Sequence, residues 1–97
     1  MGRRVVWVQL AIDDKLQILR YWDDRNKSQT YSKKLNKLFK NSAVLVGKYP
    51  YIGKKTDIPN IRIIIMKDYF IVYEIFKDKI LILRIWDTRR NPDKLMQ

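Results

Sequence analysis

The hydrophobic residues of this chain change their spacing along its length, and each change marks an element. Arg4-Val5-Val6-Trp7-Val8 is a β-branched and aromatic run that suits a strand. From Leu10 the apolar positions recur at helical spacing, Ile12, Leu16, Leu19 and Trp22 in one set and Ala11, Ile18 and Trp22 in another. A helix from Leu10 to about Asp24 is predicted, with Asp13 and Asp14 in its first turn, where the helix dipole favours acids. Arg25-Asn26-Lys27 is the following turn, and Ser28 is a candidate cap for a second helix. On that helix Tyr31, Leu35, Leu38, Ser42 and Leu45 form a stripe, while Lys33, Lys34, Lys37 and Lys40 make a solvated face. Gly47 is the predicted end of the resulting helical hairpin.

Pro50, Gly53 and Pro59 then mark an irregular loop that carries Lys48, Lys54 and Lys55. Three apolar strands follow, Ile61 to Met66, Tyr69 to Phe76 and Ile80 to Trp86, separated by Lys67-Asp68 and Lys77-Asp78-Lys79. Connections this short force an antiparallel meander. A two-residue turn at Lys67-Asp68 pairs Met66 with Tyr69, Ile64 with Ile71 and Arg62 with Tyr73, so each pair shares a face. The same arithmetic in the second hairpin brings Arg84 to the face of Arg62 and Tyr73, and a longer turn removes it. The other face, with Ile63, Ile65, Phe70, Val72, Phe76, Leu81 and Leu83, is the one expected to meet the helices. Glu74 is the exception on it and must find a partner or an edge.

The expected fold class is therefore α+β: an antiparallel sheet with an N-terminal helical hairpin on one face, in the order β-α-α-β-β-β, with the first strand added to the sheet. At 97 residues and 46% hydrophobic, the chain holds one domain, residues 1–97, with one small core and no room for a large internal cavity. There are 21 Lys and Arg against 10 Asp and Glu, for a net charge of +11, and no histidine. That excess draws polyanions or acidic proteins. Cysteine is absent too, so disulfides, thiolate chemistry and sulfur-bound zinc are excluded, no metal or cofactor is expected, and a reducing cytoplasm is the simplest location. No segment reaches the roughly 18 apolar residues that span a bilayer, the N-terminus fails as a signal peptide at Gln9 and Asp13-Asp14, and Val6 breaks a myristoylation pattern begun by Gly2.

The ordered set VVW, the helical pattern Ala11 to Trp22, RNKSQTYSKKL, YPYIGKKT, NIRIIIMKDYFIVYEI and ILRIWDTRRNP resembles the RelE/ParE toxins of bacterial type II toxin–antitoxin systems over nearly the whole chain. The resemblance implies the toxin of such a system, with a cognate acidic antitoxin as partner. RelE-like members cleave messenger RNA on the ribosome, and ParE-like members act on DNA gyrase. Translation inhibition by ribosome-dependent cleavage is the leading expectation. Gyrase inhibition, or a non-catalytic basic module that binds nucleic acid or protein, is the alternative. In the cleavage reading Arg62 and Arg89 form an electrostatic pair about the phosphorane, and Tyr73, or else a lysine of lowered pKa, is the candidate for proton transfer. Lys54, Lys55, Arg84 and Arg90 are the RNA-binding candidates. Relatives that act as nucleases place His or Tyr near the tail, where this chain has Trp86-Asp87-Thr88. Each cation also has a plain structural reading; Arg62, for one, has Glu74 as a possible partner.

Overall fold

Strand and helix signals fall close to where the apolar spacing puts them. The structure is a computed structural model that describes residues 2–89. It runs β1 (Arg4–Trp7), α1 (Gln9–Asn26), α2 (Thr30–Lys48), a short 3-10 turn (Pro50–Ile52), β2 (Lys54–Lys55), β3 (Ile61–Met66), β4 (Tyr69–Ile75) and β5 (Lys79–Asp87). The strands form one sheet in the order β1-β5-β4-β3-β2. The α+β class and the three-strand meander are as expected. Two features of the sheet differ from a purely antiparallel one. β1 joins β5 in parallel, with Val5 opposite Ile80 and Trp7 opposite Ile82, so the sheet is mixed. A fifth strand, β2, comes from the loop lysines, which pair with Ile63 and Arg62.

The first hairpin has the expected register, Met66 with Tyr69, Ile64 with Ile71 and Arg62 with Tyr73. Lys67, at φ 53°, takes the left-handed conformation its tight turn needs. The second hairpin starts in the expected register too, Ile75 with Ile80 and Tyr73 with Ile82, and then shifts between Tyr73 and Val72. This bulge sets Arg84 opposite Val72 and puts Ile85, not Arg84, opposite Ile71. An arginine is thereby kept out of the core row and an isoleucine takes its place.

The helices cover the opposite sheet face from the one expected. Ile71, Tyr73, Ile80, Ile82 and Ile85 are buried with Ala11, Leu35, Phe39 and Val46 in one cluster, with Ile64 and Met66 packed against it. The face carrying Ile63, Ile65, Phe70, Leu81 and Leu83 is the other one, and the half-buried Glu74 lies on it, in register with Ile61 and Leu81. Both faces are apolar, so alternation alone does not choose between them. The aromatic bulk of Tyr69 and Tyr73, matched by Phe39 of α2, fills the helix side. Each fully buried side chain of this size contributes roughly 1.5–3 kcal/mol.

The helices differ from expectation in detail. α1 starts at Gln9 after Val8, so Asp13 and Asp14 sit in the second turn. The buried stripe of α2 is Ser32, Leu35, Phe39, Ser42, Ala43 and Val46; Tyr31, Leu38 and Leu45 flank it. Lys33, Lys34, Lys37 and Lys40 are exposed, as expected. Ser28 Oγ accepts from the Thr30 amide. Gly47 lies inside α2, not after it, because β1 crosses there. The Arg3 amide donates to the Gly47 carbonyl at 2.8 Å, and a Cβ on residue 47 would stand 2.7 Å from Val5 Cγ2. No described helix is long and apolar enough to cross a membrane.

Candidate functional site

The loop between α2 and β3 is held from below by two side chains of the sheet. Tyr73, fully buried on β4, donates its hydroxyl hydrogen to the Pro50 carbonyl at 2.6 Å and accepts from the Gly53 amide at 3.0 Å. Arg62, opposite it on β3, donates to the carbonyls of Tyr51 at 3.1 Å and Gly53 at 2.8 Å. Glycine is required at 53 by proximity: a Cβ there would be 2.5 Å from the Tyr73 hydroxyl and 2.9 Å from the Ile63 carbonyl oxygen. Beyond the turn, the Thr56 hydroxyl lies within hydrogen-bond reach of the Ile58 and Ile61 carbonyls, fixing the approach to β3.

Three large side chains project from this braced loop. Tyr49, Tyr51 and Ile52 are 61%, 62% and 52% exposed. The guanidinium groups of Arg62 and Arg3 lie 5.1 and 5.9 Å from the centre of the Tyr51 ring. Lys48, Lys54 and Lys55 are exposed around it. The result is a rigid apolar tip inside a ring of positive charge.

The residues expected to assemble one cleavage site are dispersed. Arg62 and Tyr73 do meet, but both are committed to loop carbonyls. Arg84 is bound to Asp14 of α1, Nε to Oδ2 at 2.8 Å and Nη2 to Oδ1 at 3.1 Å, and does not join them. Arg89 is paired with Asp87 at 2.6 Å. Asp87 stands opposite Tyr69, four residues from Tyr73 along β4, which is about 13 Å at strand rise. Arg62 and Arg89 thus belong to opposite ends of the sheet. Arg90 lies outside the described residues. Among those described, no group of three or more acids, histidines or cysteines could hold a metal.

The electrostatics run against Tyr73 as a base. Burial first pushes its phenol above the ordinary value of 10.0, opposed by the Gly53 amide and by Arg62. Tyr69, whose hydroxyl accepts from Trp22 Nε1 at 2.9 Å, is likewise raised, chiefly by burial. A phenol with a raised folded value adds stability that is fully present below its unfolded value near pH 10 and is lost as pH rises through the folded value. In an alkaline titration Tyr69 and Tyr73 are therefore expected to ionise above pH 10 together with loss of circular dichroism, and ionisation of either phenol below pH 10 with the fold intact would contradict this.

A second cleft, of about 250 Å³, lies between α1 and the end of β5, lined by Asp14, Gln17, Tyr21, Tyr69, Asp87 and Arg89 among others. Sequence reasoning missed Asp14 here and Tyr49, Tyr51 and Ile52 in the loop. The tip did leave a signal. Tyr-Pro-Tyr-Ile is apolar around a proline, which suits neither a helical nor a strand period, and only Pro50 of the four is buried.

Comparison with known proteins bears on what such a scaffold is for. A family model described as the ParE toxin of the type II toxin-antitoxin system, parDE, matches residues 5–92. A solved structure titled as the chromosomal ParDE TA system from P. aeruginosa superposes with a TM-score of 0.78 at 14% identity, covering 91% of this chain and 98% of that one. At that identity the likeness is one of fold. No match is found among curated protein sequences. With the family match spanning β1 through the end of β5, the chain belongs to the ParE toxin family of type II toxin–antitoxin systems.

Proposed function

We propose that this toxin acts by inhibiting DNA gyrase and is held in check by an acidic antitoxin. The family match over residues 5–92 carries the reading, because gyrase is the target that the ParE side of the resemblance implies. The site's chemistry favours it over messenger cleavage. In-line attack by a ribose hydroxyl needs a proton acceptor and free cations around one phosphate. Here Tyr73 is buried and kept neutral, Arg62 is bonded to two carbonyls, and Arg89 stands paired at the far end of the sheet. Gyrase inhibition by binding needs a surface, not a general base. A gyrase target places the toxin's action in the cytoplasm. The net charge of +11 suits an acidic antitoxin whose affinity falls as salt rises.

Purified toxin is expected to inhibit gyrase supercoiling and to leave ribosome-bound messenger intact, with inhibition reversed by a short acidic protein encoded beside its gene. Cuts within translated frames without any effect on supercoiling would replace this reading with the RelE-like one.

A further inference from the structure

The loop tip is an unusual surface for so cationic a chain. Tyr49, Tyr51 and Ile52 are all more than half exposed, yet the loop that carries them is tied at Pro50, Tyr51 and Gly53 to Tyr73 and Arg62 through four hydrogen bonds, and the Tyr49 and Ile52 amides donate to the carbonyls of Leu45 and Tyr49. Large apolar groups on a rigid backbone lose little conformational freedom on burial, which is the property of interface anchors. No acid occurs from Lys48 to Lys55, while Arg3, Lys48, Lys54, Lys55 and Arg62 surround the tip.

We infer that the Tyr49–Ile52 tip is the toxin's docking surface for its target protein, entering an apolar concavity rimmed by acidic side chains. This rests on the gyrase reading, and it names which part of the toxin makes the contact. Charge complementarity selects the acidic rim, since five cations ring the tip. Projecting side chains call for a concave, already folded partner; a partner that folds on binding would need a groove or sheet edge on this chain. Nucleic acid is the weaker fit at Tyr51, because stacking a base needs a free aromatic face and two guanidinium groups already lie 5.1 and 5.9 Å from the centre of that ring.

Binding of purified gyrase to immobilised toxin tests the inference. Tyr51→Ala and Ile52→Asp should each weaken binding at least tenfold, and Lys54→Glu with Lys55→Glu should weaken it and flatten its salt dependence. Leu16→Asp, an exposed apolar site on α1, should change nothing. Thermal midpoints should stay near wild type, because the altered side chains lie outside the core. If wild type binds and inhibits gyrase and the tip variants do so equally well, the inference falls while the gyrase reading stands. If the tip variants lose affinity for duplex DNA and keep it for gyrase, the inference is also overturned. If wild type neither binds nor inhibits gyrase, the reading and the inference fall together.

Discussion

Tyr73→Phe is expected to lower stability by about 2–3 kcal/mol, although it removes a single oxygen atom. Both partners of that oxygen, the Pro50 carbonyl and the Gly53 amide, are buried, and each buried group left unsatisfied costs about 1–3 kcal/mol. Tyr73→Ala should cost about 4–5 kcal/mol, because it also empties the space of a fully buried ring. In a domain of this size each kcal/mol lowers the thermal midpoint by about 4–8 °C. Urea unfolding measures the loss, and amide exchange locates it: the Gly53 amide should be protected in wild type and exchange freely in the Phe variant. Were Tyr73 a proton-transfer group, the Phe variant would lose activity and keep its stability. An unchanged urea midpoint would therefore sink the bracing role.

That role could not be read from sequence, although the pairing behind it could. Short turns fix hairpin register, so Arg62 opposite Tyr73 followed from counting residues back from Lys67-Asp68. What the two side chains do depends on the path of residues 49–53, which has no periodic pattern to predict. The same limit explains the inverted sheet face. Ile63, Ile65 and Phe70 are as hydrophobic as Ile64, Ile71 and Met66, so the choice of face fell to volume: Tyr69 stacks edge-on against Phe39 at 5.5 Å, a contact that appears only once α2 is in place. The parallel pairing of β1 depends on where α2 returns the chain. Gly47, read as a stop, was the trace of that crossing, since glycine there lets Arg3 and Val5 approach the helix.

The cations around the loop were legible as residues and illegible as an arrangement, and the exposed Tyr49, Tyr51 and Ile52 were not legible as a surface at all. Lys54, Lys55 and Arg62 do gather at one end of the sheet, where β2 pairs with β3. Residue counting places Arg84 with Arg62 and Tyr73, and the bulge turns it to Asp14 instead; the family pattern places Arg89 there, and the course of β5 carries it to the other end of the sheet. A charge count finds cations but cannot say which of them already have partners.

Asp14→Ala is expected to destabilise the protein by about 2–4 kcal/mol, and its cause can be separated into two parts. The bulge that puts Arg84 opposite Val72 disturbs the β4–β5 ladder, and a bulge leaves backbone groups without strand partners. The carboxylate of Asp14, reaching across from α1, accepts from the Ile85 amide at 3.0 Å and from two nitrogens of Arg84. One residue thus mends the ladder, neutralises an arginine beside the core and fixes α1 to the sheet. Removing a partner from a fully buried ion pair costs about 3–5 kcal/mol; the lower figure here reflects an Arg84 side chain that is 29% exposed. Asp14→Asn, which keeps a carbonyl acceptor in place, should recover part of the loss. A double-mutant cycle with Arg84→Leu assigns the remainder. If the ion pair dominates, Asp14→Ala should cost little once Arg84 is leucine. If mending the ladder dominates, the cost should persist, and the Ile85 amide should stay protected in Arg84→Leu and exchange quickly in Asp14→Ala. The geometry predicts the second pattern, because a backbone amide freed by the bulge has no substitute acceptor, whereas the Arg84 guanidinium can turn to water. Full additivity with no change in Ile85 exchange would show that the helix reaches the sheet there without supporting it.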